Sequence, residues 1–385
     1  MAAVAAVGES PPAPALRWGI LSTASILKHF VPAVAAAPGQ SVVAVASRTL
    51  EKAAQAAKTY AIPHAEGSYE ALLARPDINA VYVPLPVDMH LEWVTKALSA
   101  GKHVLVEKPI ALNPGDVATM HAAARAANLL LAEGYMSLHT AQQRHLEATF
   151  AATNPAPSPI GRLLSIRSQF AYPLSRRGFR EDPAASGGGS LWDVGCYCVA
   201  LGQTLAGRLV KPSSITAVAH RLRRAADANA AEKQADVLLS ATITYENGVV
   251  HTFECGLVGT ARVGCELIGT AGRAVLAAPF KPPLADATIT IEKLSGEPGA
   301  VVVDAQTVKI SEDATADGGA TGHLYRWQLD RFRRAYDAAN ARGADGPAVV
   351  AAFLQEEEVL STAIVATVRQ IHECSTDVDF GASRL

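Results

Sequence analysis

This 385-residue chain has no apolar run long enough to cross a bilayer. It also lacks a basic surplus. The formal net charge is -2, so nothing points to nucleic acid, and no basic amphipathic stretch points to a membrane surface. The N-terminal stretch MAAVAAVGESPPAPAL has neither the charged start nor the sustained apolar core of a signal peptide. Its Ala and Pro content suggests a disordered tail over residues 1–15. Cysteine is sparse and odd in number: Cys196, Cys198, Cys255, Cys265 and Cys374. No C-x-x-C pair occurs, so no metal centre is expected and a reduced, cytoplasmic setting is. Buried small side chains are the simplest reading of all five. No internal repeat is found.

Hydrophobic residues make up 49% and charged residues 18%, as in a globular protein whose length suggests two or three domains. From residue 16 short apolar strands alternate with helical patterns: LRWGIL, then ASILKHFVPAVAAA, then SVVAVASR, then TLEKAAQAAKTY. The alternation continues through NAVYVPLP, HLEWVTKALSAG, HVLVEKP, DVATMHAAARAA and LLLAEGYM. Such alternation predicts a parallel sheet covered on both faces. It stops near residue 138. Beyond come a helix, a Pro-rich break, six strand candidates marked off by turn dipeptides, and two long closing helical patterns. The expected fold is α/β: a doubly wound dinucleotide-binding (Rossmann) domain over 16–137, then an α+β domain over 138–385 with an open, mostly antiparallel sheet.

Doubly wound sheets bind dinucleotides at the first strand-to-helix turn. That turn is GILSTASIL, and the usual G-x-G-x-x-G is missing from it. Ser22 and Ala24 stand where the first two glycines would be. The candidate phosphate-binding residues are therefore Ser22, Thr23, Ala24, Ser25 and Ile26, with the Ser22 hydroxyl as an added donor. The alternative is an ordinary turn with a Ser/Thr cap. The acid that NAD sites place after the second strand is also missing. Ser47 and Arg48 stand there, a pair that suits a 2′-phosphate and favours NADP, with NAD as the alternative. A capped helix start would explain the same residues.

Two further stretches carry charge at telling places. HVLVEKPI puts Glu107 and Lys108 at the end of a strand, where parallel sheets bind ligands, although a lysine there is ordinarily solvated. SGGGSLWDVGCYCV runs from three glycines straight into a helical pattern. Asp193 and Tyr197 are four residues apart and share one helical face. They could bind a polyhydroxylated substrate. They could also be a capping carboxylate and a packed ring.

Taken in order, WGILSTASI, VYVPLPVDMHLEWVTKALSAGKHVLVEKP, AEGYM, REDPAASGGGSLWDVGCYCV and ELIGTAG resemble the Gfo/Idh/MocA oxidoreductases. The resemblance covers residues 16 to 375. It is nearest the subgroup of dimeric dihydrodiol dehydrogenases and NADP-dependent D-xylose dehydrogenases. It implies that Lys108 lies beside the nicotinamide and the reacting hydroxyl, with Asp193 as orienter and Tyr197 as proton acceptor. A cationic nicotinamide makes a neighbouring lysine easier to deprotonate, so Lys108 as the base is the alternative. The resemblance also places Pro86 and His90 along the nicotinamide and Glu107 near its ribose. Arg180 falls near the substrate, or is a surface Arg like Arg176 and Arg177. Val87, Ser137 and Leu138 depart from the family pattern, so the substrate does not carry over. The expected activity is hydride transfer between NADP and the CH–OH of a sugar, polyol or trans-dihydrodiol. The rival is a non-catalytic dinucleotide-binding regulator or scaffold protein of the same fold. A homodimer through the second domain's sheet is expected, because an uncovered antiparallel face invites association.

Overall fold

The structure, a computed structural model, describes residues 15–174, 187–221, 235–294, 302–311, 323–341 and 345–379. All but the last residue of the expected tail over 1–15, Arg180 with its neighbours Arg176 and Arg177, and the connection 222–234 lie outside the described residues.

The first half alternates as the hydrophobic pattern predicts. It runs β1 (Leu16–Leu21), α1 (Leu27–Ala35), β2 (Gln40–Ala46), α2 (Leu50–Tyr60), β3 (His64–Glu66), α3 (Tyr69–Leu73), β4 (Ala80–Val83), α4 (His90–Ser99), β5 (His103–Glu107), α5 (Pro114–Ala127) and β6 (Leu131–Gly134). The strands form a parallel sheet in the order β3-β2-β1-β4-β5-β6. The strand order, not the chain direction, reverses between β1 and β4, so a crevice opens beyond their carboxyl ends. β4 (AVYV) is buried along its whole length, as a strand covered on both faces should be. β3 and α3 are too short to have shown a period in the sequence. Pro32 does not break α1: the helix continues through it to Ala35.

The second half comprises α6 (Ala141–Phe150), β7 (Leu163–Ala171), α7 (Cys196–Ala206), β8 (Pro212–Arg221), β9 (Asp236–Tyr245), β10 (Val250–Gly256), β11 (Arg262–Gly269), β12 (Gly272–Leu276), β13 (Ala287–Leu294), β14 (Val302–Ile310), α8 (Arg326–Asn340), α9 (Gly346–Cys374) and β15 (Thr376–Asp379). Its sheet has the order β14-β13-β12-β11-β7-β10-β9-β8-β15. The β7–β10 and β8–β15 pairs are parallel and the rest antiparallel. The stretch RVGCELIGTAG, which reads as one strand, is β11 plus the turn into β12. α7 packs against one face of this sheet and against α9, and every one of its residues is buried. The opposite face is polar: Thr242 and Thr252 share a hydrogen bond of 3.2 Å, and Arg273 bridges Glu266 and Glu292 at 2.9 and 2.8 Å.

The closing helices cross back to the first sheet. Leu329 and Phe332 of α8, with Val350, Phe353 and Leu354 of α9, join the core around Trp18. The Trp18 ring meets Phe30 edge-on at 5.7 Å and Phe332 at 5.2 Å. Further along α9, Ile364, Val368 and Ile371 join the core of the second sheet. One helix thus ties the two lobes together, and the cleft between them inherits that alignment.

Candidate active site

The turn after β1 holds its shape through a serine. Ser22 sits at φ +120°, in the region that favours glycine. Its hydroxyl accepts from Ala24 N–H at 3.0 Å and donates to the Pro84 carbonyl at 3.1 Å, tying the β1 turn to the end of β4. In this arrangement the Ser22 hydroxyl proton is directed at Pro84 rather than outward from the turn. The ordinary-cap alternative fails here, since Ile26 is the N-cap of α1 and no side chain caps it. Thr23 and Ser25 are exposed, while Ala24 and Ile26 are half-buried. The N–H groups of Leu27, Lys28 and His29 already donate to the Ala24, Ser25 and Ile26 carbonyls at 3.1, 3.4 and 2.9 Å, so it is the small-residue turn itself, rather than the first donors of the helix, that fits a pyrophosphate. At the end of β2, Thr49 caps α2, leaving its neighbours for other work. Ser47 is buried, and its N–H donates to the Glu66 carbonyl at 3.2 Å. Arg48 is exposed and forms no ion pair among the described residues. A guanidinium in that state, one strand away from the Ser22 turn, fits a 2′-phosphate.

Lys108, Asp193 and Tyr197 meet across the lobes. Lys108 follows β5, and its bond to Pro109 is cis. Its ammonium donates to the Asp193 backbone carbonyl at 2.5 Å, lies 3.5 Å from Asp193 Oδ1 and stands 4.8 Å from the centre of the Tyr197 ring. Asp193 belongs to a π-helical turn, Leu191–Gly195, which runs into α7. Wide turns of this kind recur at functional sites. Asp236 holds the turn in place: its Oδ2 accepts from Leu191 N–H at 2.9 Å and from the Ser190 hydroxyl. The glycine run is needed for close approach. A Cβ on Gly187 (φ +81°) would come within 2.7 Å of Val87 Cγ1, and one on Gly189 (φ +104°) would collide with Asp236. The second-lobe loop therefore lies against the Pro86–Val87 stretch of the first.

The Asp193 carboxylate does not bond the Tyr197 hydroxyl. Its Oδ2 instead accepts from Tyr172, the residue immediately after β7. Tyr172 carries no motif and went unread in the sequence. Phe170 and Phe280, stacked at 4.9 Å, were missed in the same way; with Tyr135 they enclose the Tyr197 ring. Burial and the nearby Glu107 hold the Tyr197 phenol well above its ordinary range. Like an ordinary phenol it holds its proton at neutral pH, so a proton is available to a forming alkoxide, although burial makes the group a weaker acid.

The remaining predicted residues frame the cleft. Pro86 is exposed at the end of β4. Glu107 accepts from Tyr82 at 2.5 Å, and burial raises its carboxyl. His90 is 1% exposed, with its ring nitrogens 3.1 and 2.9 Å from the Ile110 and Leu85 carbonyls. It therefore pins the Lys108 loop to the β4 loop and leaves no nitrogen for a cofactor. Glu133 does similar work from β6. It accepts from Ile110 N–H at 2.8 Å and from Ser361 on α9. A cavity of about 640 Å³, lined by Glu133, Tyr135, His139, Arg208 and Arg331, opens near it. Neither Lys108, Asp193 nor Tyr197 lines that cavity.

Comparison with known proteins places the chain in a family. Residues 16–135 match the model of an oxidoreductase family with an NAD-binding Rossmann fold, and residues 158–275 match the Gfo/Idh/MocA C-terminal domain. The chain belongs to the Gfo/Idh/MocA oxidoreductase family. Among Gfo/Idh/MocA relatives, the dTDP-3,4-didehydro-2,6-dideoxy-alpha-D-glucose 3-reductase of Streptomyces antibioticus is 37% identical over 71% of this chain and 78% of its own length. A trans-1,2-dihydrobenzene-1,2-diol dehydrogenase of Xenopus laevis is 38% identical over 53% of this chain and 60% of its own. The crystal structure of KijD10, a 3-ketoreductase from Actinomadura kijaniata with NADP and TDP-benzene, superposes with a TM-score of 0.75. It is 26% identical and covers 95% of this chain and 99% of its own. The Gfo/Idh/MocA membership accounts for both sheets and for the order of the motifs.

Proposed function

We propose that this protein is an NADP-dependent sugar oxidoreductase that interconverts a ring ketone and a secondary alcohol. The observation that carries the reading is the meeting of Lys108, Asp193 and Tyr197 at the carboxyl end of the first sheet. When bound there, the cofactor supplies or takes up a hydride at its nicotinamide. The turn 22–26 and Arg48 hold its phosphates, and Pro86 and Glu107 border its nicotinamide end. Lys108 donates a hydrogen bond to the reacting oxygen and stabilises alkoxide character. Tyr197, which keeps its proton, gives it to that oxygen during reduction and takes it back during oxidation. Asp193 orients Lys108 and a substrate hydroxyl. Three of these groups would have no reason to converge in a dinucleotide-binding regulator.

The two relatives named above act on a keto-deoxysugar nucleotide and on a dihydrodiol, and the aromatic wall of Phe170, Phe280 and Tyr197 suits the apolar face of either ring. Purified protein assayed for change in reduced-cofactor absorbance, with NADP and NAD separately, against 3-keto sugar nucleotides, aldoses, polyols and dihydrodiols is expected to turn over a ring ketone or alcohol with NADP. No turnover in any arm would refute the reading. We also propose that a second copy covers the open sheet face, whose apolar points Val218, Val378 and Leu294 lie toward its edges. Sedimentation is expected to give a dimer at micromolar concentration, and monomer alone would contradict this.

A further inference from the structure

We infer that Tyr172 is a positioning residue of the active site, and that its phenol decides whether Asp193 serves the substrate or closes onto Lys108. The inference rests on the function proposed above. Its ground is the way the Asp193 carboxylate is shared. Oδ2 accepts from Tyr172, while Oδ1 faces the Lys108 ammonium at 3.5 Å, longer than a hydrogen bond of good geometry. The ammonium has its short bond at 2.5 Å with the Asp193 backbone carbonyl instead. The carboxylate is thus drawn toward the second sheet, away from full pairing with the lysine.

Physical reasons make this arrangement consequential. Lys108 and Asp193 each keep only 12% of their side chains exposed, so water screens their attraction poorly. Left alone, a carboxylate and an ammonium at this distance would close to a direct pair. A lysine so paired would have a donor fewer for the reacting oxygen, and the carboxylate fewer lone pairs for a substrate hydroxyl. The phenol opposes that collapse from a rigid base. Tyr172 follows β7 without a break, and its N–H donates to the Gly256 carbonyl at 3.0 Å; two residues on, Leu174 N–H donates to Leu257 at 3.1 Å. The backbone carrying the phenol is therefore an extension of the sheet. The π-helical turn that carries Asp193 is fixed independently by Asp236. Packing alone does not call for a phenol: phenylalanine would fill the same space beside Phe170, whose ring is 6.4 Å away.

The test is Tyr172→Phe, Asp193→Asn and the double variant, each measured for single-turnover rate, substrate KM and NADPH affinity. Loss of a hydrogen bond to a charged group corresponds to a drop of about 10- to 100-fold in the rate for Tyr172→Phe. Substrate KM is expected to change by less than about threefold, and NADPH affinity to stay within about twofold, on the same scale. In the Asp193→Asn background the Tyr172 substitution is expected to cost almost nothing more, because the two groups act as one unit. A general packing defect would instead lower NADPH affinity and add to the Asp193→Asn effect. Tyr172→Phe turning over at the unsubstituted rate, or adding its full loss to Asp193→Asn, would overturn this inference alone. An unsubstituted protein inert toward every substrate class would overturn the function and this inference with it.

Discussion

Replacing Arg48 with Gln tests the cofactor half of the account. The guanidinium is exposed at the carboxyl end of β2 and has no ion pair among the described residues, so its removal breaks no ion pair among them. Gln keeps most of the aliphatic stem and deletes only the charge. A charge-assisted contact with a phosphate contributes about 1.5–3 kcal/mol when well shielded. Exposure moves this site toward the lower end, so a loss of about 1–2 kcal/mol is expected, or roughly 5- to 30-fold in affinity. The loss should fall on NADPH alone, because NADH carries no 2′-phosphate. Fluorescence titration of both reduced cofactors, at low and high salt, measures it. NADPH affinity of the unsubstituted protein should weaken with salt, that of the variant much less, and NADH affinity of either should hardly move. Equal weakening of NADPH and NADH, or no change in either, would refute the assignment of Arg48 to the phosphate.

Two further outcomes follow from the packing around the site. Ala at Gly189 would occupy a positive-φ position and collide with Asp236, so Gly189→Ala should lower stability by roughly 2–4 kcal/mol and depress turnover, as denaturant melts and rate assays would report. Glu133 is a buried acid raised from 4.5 to about 7. Between those values the unfolded chain is ionised while the folded one holds the proton, so this group costs stability as pH rises through the window, by up to roughly 3 kcal/mol. Glu133→Gln should match the unsubstituted protein at pH 5 and exceed it at pH 8; parallel stability curves would contradict the burial argument.

The parts of this molecule that the sequence disclosed are those governed by local periodicity and by motifs. Strands such as AVYV and HVLVE announce themselves because a sheet covered on both faces needs unbroken apolar runs. Lys108, Asp193 and Tyr197 could be named because each sits in a contiguous motif with turn residues beside it. What stayed hidden depends on partners distant in the chain. Tyr172 follows an ordinary strand, and only folding brings it to Asp193. The use of α8 and α9 to bury Trp18 has no local signature either, since an amphipathic helix does not say which sheet it will cover. The internal bonds of Ser22 and His90 were equally invisible in the sequence: the Ser22 hydroxyl donates to the Pro84 carbonyl, and both His90 ring nitrogens face backbone carbonyls.

The most direct test is transfer of deuterium from C4-labelled NADPH to a ring-ketone substrate, measured for the unsubstituted protein and for Lys108→Met. The account predicts label at the new carbinol carbon with the unsubstituted protein. For the variant it predicts a rate lower by about 10²- to 10³-fold with NADPH still bound, since one donor to a developing alkoxide is typically worth that much. Transfer at an undiminished rate without the ammonium would contradict the catalytic role of the residue on which the whole cleft converges.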